Sequence, residues 1–330
     1  MILWRSILTL FAFAVLARTA AAQSVPAPVG KQWNPTFADE FNVGASDLNG
    51  WSYDLGNGQD GWGNFESQSY TNSTNNVSVS GGALHLTAIG TGSGSNTTYT
   101  SGRIRTTNLF SQAYGLFEFK AKLPAGQGLW PAIWMMPKDS AYGGWPRSGE
   151  IDILENRGQD TGEVQGTLHS GTGPGTVARL SASYGPAGFD TTQFHTYALQ
   201  WTAGPSPSQP GTIRWYVDGN LYQTRTGGWV VPAGATNQDA PFDKPFYLIM
   251  NLAVGGTYTN FLTPGPGTYD MQVDYARAYQ LTSVPEPAAG LVLGSVLAFA
   301  SLSRSRRCER RSPRTRSGRM LFPGGHHVER

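Results

Sequence analysis

The sequence predicts an all-β sandwich or jelly roll built as one domain, and three observations carry that prediction. Short alternating runs of apolar and polar residues recur at 77–80, 83–88, 114–122, 162–170, 196–202, 213–217, 246–252 and 270–279. Clusters of Gly, Pro, Asn and Ser separate them, as at 90–96 and 204–211. Between residues 23 and 283 no apolar pattern with a helical period continues beyond three turns. Period-two runs bounded by turn residues are strands, and many of them at near-regular spacing make a sandwich or jelly roll. Composition agrees. Of 330 residues, 42 are Gly and 21 Pro, and 14% are charged, where about 25% is usual. That excludes a coiled coil, while an apolar fraction of 39% suffices for a core and excludes general disorder. A single Cys excludes an internal disulfide framework and a Cys-based zinc site.

Two terminal segments stand apart. Residues 1–22 join a short basic start (Arg5), an apolar stretch at 6–17 and Ala20-Ala21-Ala22, the pattern of a signal peptide cut before Gln23. A buried N-terminal helix is the rival reading, but the run lacks amphipathic spacing. At the other end, Val284-Pro285-Glu286-Pro287 leads into an apolar stretch at 288–302 and a tail, 303–330, with nine Arg and two Glu. An apolar run beside a basic block fits a short transmembrane segment oriented by the positive-inside rule. Its order of VPEP, apolar helix and Arg cluster resembles the PEP-CTERM sorting signal of Gram-negative bacteria. That resemblance implies export, processing by sorting machinery, and a cell-surface or extracellular location with transient anchoring in the inner membrane; a plain tail anchor is the rival. What remains, 23–283, carries 13 Lys+Arg and 19 Asp+Glu. The working domain is therefore acidic, its basic tail says nothing about nucleic acid, and no nucleic-acid partner is expected.

Chemistry concentrates in Ser148-Gly149-Glu150-Ile151-Asp152-Ile153-Leu154-Glu155. In a strand, side chains alternate faces, so Glu150 and Asp152 share one and Ile151 takes the other. Glu155 falls on the wrong face unless one extra residue, a bulge at Ile153-Leu154, returns it. Three carboxylates in a row repel one another and raise at least one pKa. A retaining glycosidase needs such a set, with one carboxylate as nucleophile and a nearby carboxyl as proton donor. A calcium-binding acidic edge or a solvated face would also use acids, and both stay open at this point.

The flanking segments narrow the choice. FADEF (37–41), GWGNFESQSYT (61–71), GALHLTA (82–88), SGRIRT (101–106), YGLFEFKAKLPAGQGLWPAIWMMP (114–137), WPRSGEIDILE (145–155), GTLHSG (166–171), FHTYALQWT (194–202), IRWYVDG (213–219) and PFYLIMNLAVGG (245–256) together resemble glycoside hydrolase family 16, in its laminarinase-like endo-β-1,3-glucanase branch. The resemblance implies a curved antiparallel β-jelly-roll of the concanavalin-A-like lectin and glucanase type. It implies Glu150 as nucleophile, Glu155 as general acid/base and Asp152 as assisting acid, with the bulged E-x-D-x-x-E spacing arguing against a lichenase. It implies no cofactor for catalysis and a structural calcium at Glu40, the Gly82 carbonyl and Asp274.

Sugars present flat C–H faces and a rim of hydroxyls, so a glycan cleft pairs aromatic platforms with polar groups. Trp130 and Trp134, four apart on one strand, share a face; core packing is the competing role for both. The family resemblance implies Trp130 and Trp145 in the cleft near the cleavage point, and Trp134 and Trp229 are further candidates. The resemblance implies that Asn64 and Arg103 bind sugar hydroxyls and that His169 binds Asp152 or substrate, against an ordinary Gly-Asn turn, a surface ion pair and a structural histidine as competing roles; Asn251 is a further cleft candidate, and Glu66 and Gln68 are weaker ones. The expected activity is retaining endo-hydrolysis of β-1,3-glucan by an exported monomer. The alternatives are a relative acting on mixed-linkage glucan, agar or carrageenan, and a non-catalytic glycan-binding surface protein, which retention of all three acids disfavours.

Overall fold

A computed structural model of the chain describes residues 23–42, 48–173 and 175–285. The proposed signal peptide, the 288–302 stretch and the Arg-rich tail lie outside the described residues. Among the described residues no helix is long and apolar enough to cross a membrane. The compact unit that carries the sheets ends at Ser283.

The strands are, in chain order, β1 (Lys31–Asp39), β2 (Ser52–Tyr53), β3 (Gln68–Tyr70), β4 (Val77–Ser80), β5 (Ala83–Thr91), β6 (Thr98–Ser101), β7 (Arg103–Arg105), β8 (Gly115–Lys122), β9 (Leu129–Pro137), β10 (Glu150–Glu155), β11 (Val164–Gly171), β12 (Val177–Tyr184), β13 (His195–Thr202), β14 (Thr212–Val217), β15 (Asn220–Thr226), β16 (Phe246–Val254) and β17 (Gly267–Ser283). Every run expected from alternation is a strand. Outside those runs lie the short β2, β3, β6 and β7, the half-exposed β1, β12 and β15, which have little alternation to display, and the largely buried β9 and β10, picked out by their Trp and acid spacing instead. A ten-stranded sheet runs β15-β14-β13-β8-β17-β5-β6-β3, with β1 beside β17 and β4 beside β5. A seven-stranded sheet runs β12-β11-β10-β9-β16-β7-β2. Pairing is antiparallel except between β3 and β6, which run parallel, a departure from the all-antiparallel expectation.

The sheets pack face to face. Leu84, Leu86, Phe117, Phe119, Leu199 and Val273 of the larger sheet meet Ile133, Met135, Ile151, Leu248, Met250 and Leu252 of the smaller in one buried cluster. Alternation then sends the intervening residues of the smaller sheet outward. Trp130, Ala132 and Trp134 leave β9 on that face, Asn251 leaves β16, and His169 leaves β11.

Strand β10 carries the expected bulge. Against β9 the register runs Asp152↔Trp134 and then Leu154↔Ile133, so Ile153 is the extra residue. Against β11 it shifts between Asp152 and Glu155. Ile151, Ile153 and Leu154 all enter the core. The bulge is braced from the opposite sheet: Trp215, fully buried on β14, donates its indole N–H to the Asp152 carbonyl at 2.8 Å. Gly166 makes room for it, since a Cβ there would lie 2.5 Å from Trp215 Cδ1. Gly166→Ala is therefore expected to displace the indole and destabilise the protein by about 2–3 kcal/mol, an overpacking cost plus a lost hydrogen bond. Trp215→Phe is expected to cost a similar amount without the overpacking. Denaturant unfolding of the two variants checks both values.

Candidate active site

The bulge does what the sequence requires of it, placing Glu150, Asp152 and Glu155 on the outward face of β10. Each acid has its own fixed neighbour. Trp145, 43% exposed on the loop before β10, donates its indole N–H to Glu150 Oε2 at 2.7 Å. Trp130 donates likewise to Glu155 Oε1 at 3.1 Å. His169 Nε2 lies 3.0 Å from Asp152 Oδ2 and 3.7 Å from Glu150 Oε1, as cross-strand pairing of Glu150 with His169 demands. The donor atoms of Glu150, Asp152 and His169 fall within 4.8 Å of one another. That spacing would admit a cation, but two-carboxylate glycoside chemistry needs none.

Electrostatics follow from crowding in a dry floor. Burial, then the Asp152 charge, pushes the Glu155 carboxyl up from 4.5 to about 8; His169 and the Trp130 N–H pull the other way. Glu150 is raised by burial and by Asp152 and Glu155, and held back by His169 and Trp145. Asp152 is raised by burial against its hydrogen bond with Glu150 and the Arg179 charge. All three are raised to about 8, and His169 with one indole N–H opposes the rise at each glutamate, so the set holds protons at a pH where free carboxyls have lost them.

The wall toward β7 is built from stacked groups. The Arg103 guanidinium lies 4.4 Å from the Trp62 ring and 4.9 Å from the Trp134 ring. Asp54, buried, pairs with Arg103 Nε at 2.8 Å and Arg105 Nε at 2.9 Å. Trp134 donates to Asn251 Oδ1 at 2.7 Å, and Asn251 donates to the Tyr70 hydroxyl. Glu66 accepts from Gln68 at 2.7 Å and from Asn64 and Tyr70 at 3.3 Å each, and burial raises its pKa. The structure thus gathers Asn64, Arg103, Trp130, Trp134, Trp145, His169 and Asn251, with Glu66 and Gln68, around the acids or along this wall.

Two expectations are corrected or altered. Trp229 is no platform: it is 6% exposed, stands edge-on to Phe242 at 5.3 Å and donates to the Gln238 carbonyl. Its loop folds inward because Val230 N–H binds Ser170 Oγ, and the ring is core. The Glu40, Gly82 and Asp274 set does not fit a side-chain calcium cage. The Glu40 carboxylate is forked by Arg277 at 2.7 Å, and Asp274 is paired with Lys120 at 2.6 Å, so both carboxylates already face cations of the chain.

Sequence reasoning missed Trp62, Asp54, Tyr258 and Arg157. Tyr258 stacks on Trp130 at 4.8 Å, and Arg157 lies 4.2 Å over Tyr258 while donating to its carbonyl. Trp62 had a signal, lying in the same GWGN segment as Asn64. Asp54 and Tyr258 had none, since they reach the site from segments remote from β10 in sequence, and Arg157, two residues after Glu155, belongs to no motif that points to Tyr258.

A sandwich carrying three carboxylates on a bulged strand, amid indoles and sugar-sized polar groups, defines a glycoside hydrolase. Comparison with known proteins agrees: residues 64–277 match glycosyl hydrolases family 16, and the chain belongs to that family. It is 42% identical over 267 residues to glucan endo-1,3-beta-glucosidase A1 of Niallia circulans, covering 75% of this chain but only 38% of that protein. It is 37% identical to the beta-glucanase of Rhodothermus marinus, covering 82% of this chain and 94% of that one. Among solved structures it resembles the endo-beta-1,3-glucanase of Pyrococcus furiosus with a TM-score of 0.65 and 34% identity, over 80% of this chain and 100% of that one.

A raised carboxyl pKa has a sign in stability. Between 4.5 and about 8 the folded chain keeps a proton on Glu155 that the unfolded chain has lost, so stability falls as pH rises through that window. Glu155→Gln removes the penalty. It is expected to match the wild type near pH 4 and exceed it at pH 8 by at least about 1 kcal/mol, measured as the difference in unfolding free energy at the two pH values.

Proposed function

We propose that this chain is a retaining endo-glycosidase that hydrolyses β-1,3-linked glucan. The observation that carries the chemistry is the bulged strand, which sets Glu150 and Glu155 on one face with Asp152 between them. The substrate reading rests on the relatives named for endo-1,3-β-glucosidase and endo-β-1,3-glucanase activity.

Glu150 attacks the anomeric carbon. It fits this role because Trp145 and His169 hold its carboxylate ready for a lost proton. Glu155, raised by burial and by the Asp152 charge, donates its own proton to the leaving glycosidic oxygen as Glu150, ionised, attacks. The glycosyl ester on Glu150 is then opened by water, from which Glu155, now ionised, takes a proton. Atoms balance: one glycosidic bond and one water are consumed, and two chain ends appear with the anomeric configuration kept. The Asp152 charge raises both glutamates, and its Oδ2 lies 3.0 Å from His169 Nε2, so it influences when Glu150 ionises.

Export, sorting at the C-terminal tail and a monomeric state belong to the same proposal. Export and sorting are supported by the sequence of 1–22 and 284–330, and the absence of Cys from 23–283 suits an exported domain that needs no disulfide.

The test is release of reducing ends from laminarin by the purified protein. Glu150→Gln is expected to lower kcat by about a thousandfold or more while the fold persists. Wild-type protein that releases nothing from laminarin but cuts agar or carrageenan would replace the substrate class. An unaffected Glu150→Gln variant would remove Glu150 from its role.

A further inference from the structure

We propose that Phe65 and Phe261 form an additional glycan-binding platform on the rim of the cleft, taking the apolar face of a pyranose ring of a bound chain. The proposal deepens the functional reading above and rests on it for the identity of the chain.

Three observations converge. The first is exposure. Phe65 is 62% exposed and Phe261 64%, and they are neighbours, with ring centroids 6.4 Å apart. Leu262, 38% exposed, follows directly. Exposed apolar clusters with a polar surround mark binding surfaces more often than scattered single residues do.

The second is backbone cost. Both phenylalanines sit at left-handed positions, φ +57° and +60°, where Gly or Asn is the comfortable choice and a bulky side chain is an outlier. The two loops close in the same way: Phe65 N–H bonds to the Asp60 carbonyl and Phe261 N–H to the Gly256 carbonyl, both at 2.9 Å. Neither ring is buried, so core packing does not account for either residue. Strain kept without a packing return points to function.

The third is continuity with the cleft. Phe65 lies between Asn64 and Glu66, which are bonded to each other in the cleft wall. A Cβ at Gly256, which opens the Phe261 loop, would lie 2.9 Å from the Asn64 carbonyl and 3.5 Å from the Trp130 ring. The two loops are therefore in direct contact and abut the indole that holds Glu155. An aromatic pair beside an amide and a carboxyl matches the two sides of a sugar, a C–H face and a hydroxyl rim.

The test uses the full chain carrying Phe65→Gly and Phe261→Gly together, and separately Phe65→Tyr with Phe261→Tyr. Kinetics on laminarin and thermal midpoints are measured for each. The glycine pair is expected to raise KM roughly tenfold, from the loss of two aromatic contacts, with kcat held. Its midpoint should stay level or rise, because glycine relieves both left-handed positions. The tyrosine pair should keep the wild-type KM. Glycine variants that cut laminarin with unchanged KM overturn the platform alone. A raised KM accompanied by a large fall in midpoint overturns it too, since the rings would then be structural. A wild-type chain that neither cuts nor binds the glucan overturns the functional reading and the platform with it.

Discussion

The site depends on one hydrogen bond that crosses the core. A strand alternates faces without exception unless a residue is inserted, so Glu150 and Glu155, five apart, can act together only if β10 is bulged. Insertion of Ile153 supplies that, but a bulge disrupts a ladder that water cannot repair from the inside. The Trp215 indole on the opposite sheet answers it by donating to the Asp152 carbonyl, through a slot that exists because residue 166 is Gly. The geometry of the catalytic face is thus set by packing on the hidden face.

From that constraint the electrostatics follow. Three acids on one short strand over an apolar core cannot all be solvated, and their pKa values rise. Two indoles then meet the two glutamates one to one. Each Trp donates one N–H to one catalytic carboxylate, at 2.7 Å for Glu150 and 3.1 Å for Glu155. The shorter bond falls to Glu150, the nucleophile of the proposed mechanism, while His169 lies nearest Asp152 and opposes the rise at both glutamates. Because an indole is also a flat apolar plate, the groups that tune the acids can be the groups that meet the sugar. Trp130 meets a limit here, since Tyr258 covers one of its faces and Arg157 backs Tyr258 in turn.

Much of this was legible in the sequence because it is local. Alternation located most strands of the larger sheet and β11 and β16 of the smaller, and the spacing of Glu150, Asp152 and Glu155 required the bulge in β10. Trp130 and Trp134 share a face for the same reason. What was not legible depends on contacts between distant segments. Nothing in Trp215 or Gly166 announces that they meet under Asp152. The sandwich of Arg103 by Trp62 and Trp134, anchored on Asp54, joins four stretches of chain. Trp229 shows the opposite error: a Trp in a Gly-rich loop looks available until the loop is seen to fold back on Phe242. Glu40 and Asp274 illustrate a third limit, because acids that suit a cation in sequence can be satisfied by Arg277 and Lys120 in space.

In the proposed mechanism the bulge makes Glu150 the group that bonds to the sugar and Glu155 the group that carries the proton. The most direct measurement is peptide mapping by mass spectrometry after incubation with a 2-deoxy-2-fluoro glycoside of β-1,3-linked glucose, which slows release of a covalent intermediate. The account predicts one added glycosyl group, on the peptide containing Glu150 and at that carboxyl. A label on Glu155, or turnover with inversion and no label at all, would contradict it.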